Sequence, residues 1–299
     1  MYQQQSYDNH AGWYNRHFPT REAKVNFLKV KSTKENNIAQ WLQQLFFKCL
    51  DPLLNEPFQQ WLTVGDAYGF DAQYILQKGS HALATDLNTN FLEVARDEHI
   101  IREYAAENAE KLSFGDAAFD YVLCKESYHH FPRPYAALYE MMRVARKGIV
   151  IMEPQDPVLK MPLLLWLSNV LTTKSRTLNK IWKNRFSFEP VGNFVYKVSE
   201  REFEKFAAGL NLPLVAFKRI NPNFHFQGAD DVPAHLGNSI FFAIRAKKLM
   251  LDILMKLKLI PGQVLSAIVF KQQPDEQTMQ QLRADGYRLV VIPDNPYIK

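Results

Sequence analysis

The stretch from Trp61 to Asp86, WLTVGDAYGFDAQYILQKGSHALATD, decides the fold of this 299-residue chain. A short apolar run ends at a glycine turn, a segment with helical spacing follows, and a second apolar run ends in an acidic residue. Short apolar strands alternating with helices are typical of βαβ units, in which helices cover both faces of a parallel sheet. The stretch therefore predicts a doubly wound α/β fold.

The alternation continues to residue 153 through the helical run NTNFLEVARDE, a third-strand region in IREYAAENAEKL, and then FDYVLCK, PYAALYEMMRVA and GIVIME. An insertion over 155–198 interrupts it. Ser199 then opens a helix through a Ser-x-x-Glu capping box. LVAFKRI (214–220) and SIFFAIRA (239–246) are predicted to complete a mostly parallel, Rossmann-like sheet of seven strands.

The chain is expected to divide into three parts. Residues 1–57 form an N-terminal helical arm followed by one further helix. Trp13, Tyr14 and Phe18 are expected to anchor the arm. Residues 58–246 form the α/β domain, with 155–198 as an insertion on the substrate side. Residues 247–299 are predicted as an amphipathic helix followed by a small strand-helix-strand lobe.

Composition excludes several classes of protein. With 47% apolar, 13% aromatic and 22% charged residues, the chain is typical of an ordered globular protein. Its two cysteines cannot form a disulfide framework or a four-cysteine zinc site. The N-terminal residues lack a secretory pattern and no apolar stretch reaches the roughly 20 residues of a membrane span, so we expect a cytoplasmic location. A net charge of +5 without dense Lys/Arg patterning does not indicate nucleic-acid binding.

Residues that follow the strands are the candidates for a binding site, because ligands of an open parallel sheet bind at the carboxyl ends of its strands. Gly65 and Gly69 bracket the first turn, where glycine permits positive φ and a close approach of the backbone. Asp86 ends the second strand, where a carboxylate can accept hydrogen bonds from ribose hydroxyls. An ordinary strand-to-helix turn and a helix N-cap are the alternative interpretations. The turn lacks G-x-G-x-x-G, which disfavours a nicotinamide-dependent dehydrogenase.

The ordered segments VGDAYG, ATD, ENAEKLSF, FDYVLCKESYHHF and RVARKGIVIMEP resemble the class I S-adenosylmethionine-dependent methyltransferases, in particular the subgroup with an F-D-x-V strand and a His-His segment. The resemblance covers about residues 58–154 and, more loosely, 199–246. It implies S-adenosyl-L-methionine as the cofactor. The positions that it assigns to cofactor binding are Gly65, Asp66, Ala67, Gly69, Asp86, Leu87, Asn108, Ala109 and Lys125.

Three positions depart from the family pattern. Thr63 stands where the family usually has an acid that helps to hold the cofactor's ammonium group, Ala67 replaces the middle glycine, and Asn108 replaces the usual aspartate. Asp66 is the residue expected to supply the negative charge that Thr63 does not.

Methyl transfer is an in-line displacement, so the enzyme mainly positions the acceptor and excludes water, and no metal is needed. An oxygen acceptor of high pKa also needs a base. His129 and His130 follow the fourth strand at the expected rim of the site, and His129 is the preferred candidate. Glu126 competes with them, and packing histidines are the alternative interpretation. Cys124 lies within the strand and is expected to be a core residue.

The insertion is predicted to contribute to the acceptor site. Trp166 and Tyr196 are the aromatic candidates, although aromatics at helical spacing also occur as core residues. Residues 158–185 contain six basic side chains and no acidic one: Lys160, Lys174, Arg176, Lys180, Lys183 and Arg185. Together with the amphipathic segment 247–260, this charge suits a phosphate-bearing acceptor or an anionic membrane surface. A solvated basic face is the alternative.

The residues therefore favour S-adenosylmethionine-dependent methyl transfer, to an oxygen of a small molecule, saccharide or lipid-linked glycan. A noncatalytic relative that keeps the fold as a binding or partner subunit is the second interpretation, and Thr63 and Ala67 motivate it. The oligomeric state stays open.

Overall fold

The computed structural model describes residues 2–33, 36–156, 188 and 193–297. Its strands pair into one eight-stranded sheet of order β3-β2-β1-β4-β5-β7-β6-β8. The strands are β1 (Gln60–Val64), β2 (His81–Asp86), β3 (Glu103–Ala106), β4 (Phe119–Lys125), β5 (Ala145–Pro154), β6 (Leu214–Ile220), β7 (Val264–Phe270) and β8 (Arg288–Val291).

Helices precede the sheet and cover both of its faces. Those of the described residues are α1 (Tyr2–His17), α2 (Arg21–Thr33), α3 (Ile38–Phe47), α4 (Phe70–Gln77), α5 (Asn90–Asp97), α6 (Pro134–Val144), α7 (Glu200–Gly209), α8 (Ser239–Lys256) and α9 (Glu276–Ala284). None of them is long and apolar enough to cross a bilayer.

Strands β1 to β5 form the parallel half of the sheet. In the centre, β1 pairs in parallel with β2 and with β4, so that Leu62 aligns with Leu83 on one side and Val122 on the other. Both central strands are buried almost along their whole length, which is typical of a parallel sheet with covered faces. Because the chain proceeds outward in opposite directions from β1 and from β4, a crevice opens at their carboxyl ends.

The other end of the sheet is antiparallel and corrects two predictions. Residues 239–246 are not a strand but the start of α8, where the Asn238 side chain accepts hydrogen bonds from the amides of Ile240 and Phe241. The position beside β5 is taken by β7, which pairs antiparallel with both β5 and β6. β8 pairs with β6. The strands assigned to a separate C-terminal lobe therefore belong to the main sheet, which has eight strands and not seven.

The N-terminal arm docks through an aromatic cluster formed by Tyr14, Phe18, Phe27, Tyr68 and Phe91, which includes two of the three expected anchors but not Trp13. The Phe91 ring lies 4.9 Å from both Phe18 and Tyr68, measured between ring centroids, and Tyr14 contacts Tyr68 edge-on at 6.0 Å. Edge-to-face aromatic pairs stabilise by about 0.5–1.5 kcal/mol beyond the area they bury. The cluster holds α1 and α2 against the turn that follows β1.

Candidate functional site

A cavity of about 340 Å³ lies at the carboxyl ends of β1, β2 and β4, in the crevice that the topology predicts. Three sequence segments supply most of its wall, namely the turn after β1, the end of β2 and the loop after β4. Its described lining residues are Tyr7, Tyr14, Gln43, Gly65, Asp66, Ala67, Tyr68, Phe70, Asp71, Asp86, Leu87, Asn88, Lys125, Glu126, Ser127, His130 and Phe131.

Glycine is required at both ends of the first turn, for different reasons. Gly65 has φ +72°, and a Cβ at this position would lie 2.5 Å from the Cβ of Ser127. The Ser127 hydroxyl donates to the Gly65 carbonyl at 2.6 Å, which joins the turn to the loop after β4. Gly69 has φ +78° and packs against Ile101, away from the cavity. Only Gly65 of this pair therefore contributes to the cavity wall.

Asp66 lines the cavity and also organises the start of α4. Its carboxylate accepts hydrogen bonds from the Thr63 hydroxyl at 3.0 Å and from the Ala72 amide at 2.9 Å. Burial raises the pKa of this carboxyl, and the two hydrogen bonds and the charge of Lys125 oppose that shift. Thr63, which stands where the family usually has an acid, thus donates a hydrogen bond to Asp66, the residue expected to supply the missing negative charge.

The positive charge of Lys125 is balanced by the carboxylate of Asp71, a residue that the sequence pattern did not indicate. Its ammonium lies 3.1 Å from the Asp71 carboxylate, and both side chains are largely buried. The rings of Phe46 and Phe47 also lie near the ammonium, 5.5 and 5.8 Å from it. In the sequence, Asp71 resembles any acidic residue in the first turn of a helix, so only its pairing with Lys125 distinguishes it.

Asp86 stabilises the turn after β2 and also lines the cavity. Its carboxylate accepts a hydrogen bond from the Asn88 amide at 2.8 Å, whereas α5 begins later, with Thr89 as its N-cap residue. Leu87 is exposed beside it on the cavity wall. Asn108 and Ala109 do not line the cavity; the Asn108 side chain instead accepts from the Glu110 amide at 2.9 Å.

The charges of the cavity favour a cationic ligand. Its described wall carries four carboxylates (Asp66, Asp71, Asp86 and Glu126) and one lysine, which is paired with Asp71. A ligand with a sulfonium centre, an ammonium group and ribose hydroxyls matches this set, because carboxylates attract the positive centres and accept hydrogen bonds from hydroxyls. The absence of a Cβ at Gly65 lets Ser127 pack against the first turn, which keeps the loop after β4 beside the carboxylates of the cavity.

The structure separates the two histidines. His129 is buried outside the cavity wall, with its Nδ1 2.5 Å from the carboxylate of Glu153. His130 lines the cavity. The Asn193 amide nitrogen lies 3.2 Å from the His129 carbonyl and 3.3 Å from His130 Nδ1. An amide nitrogen can only donate, so a neutral His130 carries its proton on Nε2. The geometry therefore places His130, and not the preferred His129, where it can meet an acceptor.

Glu126 is the third candidate from the sequence and is exposed to the cavity. Its carboxylate makes no hydrogen bond or ion pair with any described residue. Its backbone has φ +52°, which is uncommon for a residue with a side chain and concentrates at functional sites. Desolvation in the concave wall raises the pKa of this carboxyl, while Lys125 lowers it. These features are those of a carboxylate that can take up a proton.

Of the insertion, the structure describes residues 155–156, 188 and 193–198. Trp166 and the six basic residues of 158–185 lie outside the described residues. Tyr196 is half-buried and contacts the Phe194 ring edge-on at 4.9 Å. It is not on the described cavity wall. The acceptor roles of Trp166 and Tyr196 thus stay predictions.

Further lining residues were missed because they come from distant parts of the chain. Tyr7 and Tyr14 lie on α1, Gln43 on α3 and Phe131 after the histidines. The apolar residues of the N-terminal arm predict that it packs on the α/β domain, but nothing in its sequence indicates which of its side chains line the cavity. Tyr68 also lines the cavity, and its ring belongs to the aromatic cluster.

Asp86 should make the stability of the ligand-free protein depend on pH. Burial raises the pKa of its carboxyl to about 7, above the unfolded value of about 3.9. Ionisation therefore opposes folding, and the free energy of unfolding decreases as pH rises from about 4 to about 7, then levels off. We expect Asp86→Asn to raise the melting temperature by about 2–8 °C at pH 8 and by less than half as much at pH 5, where only the span from about pH 4 to 5 has contributed. Thermal unfolding at both pH values measures this, and equal shifts would contradict it.

Comparisons with known proteins agree with this geometry. Residues 62–152 match the sequence model described as "Methyltransferase domain". A fatty-acid O-methyltransferase of Mycolicibacterium smegmatis is 37% identical over 91 residues. That match covers 29% of this chain and 33% of the relative, so the chain spans about a third of the length of the curated relative it matches.

Solved structures resemble this chain at low identity. A phosphoethanolamine N-methyltransferase 2 of Haemonchus contortus has 15% identity and a TM-score of 0.50, over 87% of this chain and 60% of that chain. A 1,6-didemethyltoxoflavin-N1-methyltransferase of Burkholderia thailandensis has 15% identity and a TM-score of 0.48, over 78% and 79%. At these identities the likeness concerns the fold alone. The family match over β1 to β5 therefore identifies a methyltransferase domain within this chain.

Proposed function

We propose that this chain transfers a methyl group from S-adenosylmethionine to an oxygen atom of a small-molecule acceptor. The observation that carries the proposal is the acidic cavity at the switch point of the sheet, with Gly65 at one wall and Asp86 at another. Bound S-adenosylmethionine supplies an electrophilic methyl group on a positively charged sulfur. The residues of the chain hold it, orient the acceptor and exclude water.

Distinct parts of the wall would hold distinct parts of the cofactor. Asp86 accepts hydrogen bonds from the ribose hydroxyls, and Leu87 offers an apolar surface to the adenine. Asp66 and Asp71 supply negative potential at the methionine end, beside the backbone of Gly65. Tyr7 and Tyr14, from α1, also line the cavity.

The acceptor chemistry is argued from the loop after β4. Glu126 receives the proton of an acceptor hydroxyl, and His130 donates a hydrogen bond that orients the acceptor oxygen. A saccharide or lipid-linked glycan with a free hydroxyl fits these roles. The fatty-acid O-methyltransferase that matches 91 residues acts, by its name, on an oxygen of an acyl chain. That likeness supports oxygen as the methylated atom and includes a carboxylate among the acceptor classes.

Cofactor binding tests the proposal directly. Isothermal titration calorimetry should detect binding of S-adenosylmethionine and of S-adenosylhomocysteine, with no response to NAD. We expect Asp86→Ala to weaken both by about 1.5–3 kcal/mol, or roughly 10- to 150-fold, because it loses hydrogen bonds made by a charged group. Asp97→Ala, at the exposed end of α5, is the matched control and should bind like the wild type. An unchanged dissociation constant for Asp86→Ala would remove Asp86 from the site.

A noncatalytic binding subunit is the second candidate. It is favoured by the hydrogen bond from Thr63 to Asp66, which engages a carboxylate that the cofactor ammonium would otherwise meet. Calorimetry separates the two candidates. Absence of binding for both sulfur nucleosides leaves only the noncatalytic function, whereas binding followed by methyl transfer to any oxygen acceptor excludes it.

A further inference from the structure

One face of α8 is left uncovered by the described residues of the protein. Its exposed apolar side chains, called here the apolar stripe, are Phe242, Leu249, Met250, Ile253 and Leu257, which are 48–63% exposed. They recur at intervals of three, four and seven residues and so lie along one side of a helix. Soluble proteins seldom leave a row of large apolar side chains exposed without a binding role.

The opposite side of α8 is firmly anchored. Phe241 is buried in a small core with Ile38, Leu42 and Ala229, and the Trp41 ring contacts it edge-on at 5.1 Å. The helix is therefore a fixed part of the fold. α8 therefore packs on α3, the helix that supplies Gln43 to the cavity wall.

The charges beside the apolar stripe are almost all positive. Exposed basic residues lie on both of its sides: Arg245, Lys247, Lys256 and Lys258. Asp252 is the only acidic residue between positions 239 and 260. Its carboxylate is already occupied by Lys248 at 2.6 Å and by the Asn221 amide at 2.8 Å. The charge of Asp252 is thus balanced by Lys248, and this segment has no other carboxylate that would repel an anionic partner.

A groove of about 590 Å³ beside the C-terminal half of α8 extends the positive surface. Its wall contains six basic and three acidic residues, Lys218, Arg219, Lys248, Lys256, Lys258 and Arg288 against Glu200, Asp252 and Asp285. Lys218 pairs with Asp285, while Arg219 and Arg288 share Glu200. Lys256 and Lys258 make no ion pair with any described residue, so they keep their charge available at the groove rim.

We propose that the apolar stripe and its flanking lysines dock the protein on an anionic lipid bilayer. Apolar side chains of an interfacial helix enter the bilayer by about 5–10 Å, while flanking Lys and Arg reach the phosphates. An 18-residue helix is about 27 Å long, enough to lie flat across several head groups. A symmetric pairing of two copies is disfavoured because it would bring the same basic residues together. The proposal does not depend on the proposed function.

Vesicle co-sedimentation of the full chain tests the docking. We expect binding to vesicles of equal parts phosphatidylcholine and phosphatidylglycerol, little binding to phosphatidylcholine alone, and release as salt shortens the Debye length below about 10 Å. Leu249→Ser with Ile253→Ser should lower the partition coefficient at least tenfold, and Lys256→Gln with Lys258→Gln by a similar factor. Val291→Ser, at another exposed apolar position on β8, should bind like the wild type.

Other outcomes overturn the proposal. Equal binding to neutral vesicles would remove the role of the lysines, and wild-type binding by the Leu249/Ile253 variant would remove the role of the apolar stripe. Absence of vesicle binding, with concentration-dependent dimerisation in ultracentrifugation that the same variant abolishes, would assign the surface to a second copy of the chain. Circular dichroism and thermal unfolding confirm that each variant is folded.

Discussion

Replacing Glu126 by glutamine should lower the turnover of methyl transfer by about 10²–10⁴, the contribution of a positioned proton acceptor. Glutamine keeps the size of the side chain and its hydrogen-bonding oxygen but cannot take up a proton. The wild-type rate should fall as pH drops through the raised pKa of Glu126, because the base must be ionised to act. The variant should lose that acid limb. Turnover at saturating cofactor and acceptor, measured across pH, gives both quantities.

His130→Ala is the comparison for this experiment. A ring that donates from Nε2 orients the acceptor oxygen, so its removal should slow turnover but leave the acid limb in place. If His130→Ala abolishes the limb and Glu126→Gln keeps it, His130 is the base. If Glu126→Gln instead weakens cofactor binding more than tenfold and leaves saturated turnover within tenfold of the wild type, Glu126 holds the cofactor and does not accept a proton.

Removing the carboxylate of Glu153 should cost about 3–5 kcal/mol of unfolding free energy, the scale for breaking a buried charged pair. Glu153 is 0% exposed. Its carboxylate accepts from the amides of Ser127 and Tyr128 at 2.8 and 2.7 Å and bonds to His129 at 2.5 Å. Glu153→Ala leaves two buried amides and a buried ring without their partner. Urea denaturation measures the loss, which should exceed that of Glu153→Gln, because glutamine keeps one oxygen for the amides.

A surface pair is the matched control for Glu153. Glu276 and Arg283 lie 3.2 Å apart with both side chains more than half exposed, so Glu276→Ala should cost less than about 1 kcal/mol. If Glu153→Ala costs no more than Glu276→Ala, the Glu153 carboxylate does not hold the loop after β4. Because that loop carries Glu126, Ser127 and His130, folded Glu153 variants should also lose turnover.

Local pattern was enough to predict the parallel half of the sheet. The strands β1 to β5 are short apolar runs between helical segments, and that periodicity is visible without any tertiary contact. The strand-end residues Gly65 and Asp86 could be placed on the cavity for the same reason, since parallel strands bring their carboxyl ends to one edge. Lys125, which also lines the cavity, was assigned by the family resemblance. The family resemblance rests on the same segments, which are those that the methyltransferase domain match covers.

Tertiary structure alone decided the antiparallel half of the sheet and the roles within the site. The apolar run SIFFAIRA has no periodicity that distinguishes a buried strand from a helix. In the fold, β7 takes the position beside β5, and its apolar side chains are buried on both faces. The adjacent histidines cannot be distinguished in the sequence. In the fold, the buried Glu153 bonds to His129, whereas His130 lines the cavity. The sequence by itself thus determined which residues end the strands. Long-range pairing and burial decided which side chains meet, because contacts between distant segments leave no local period.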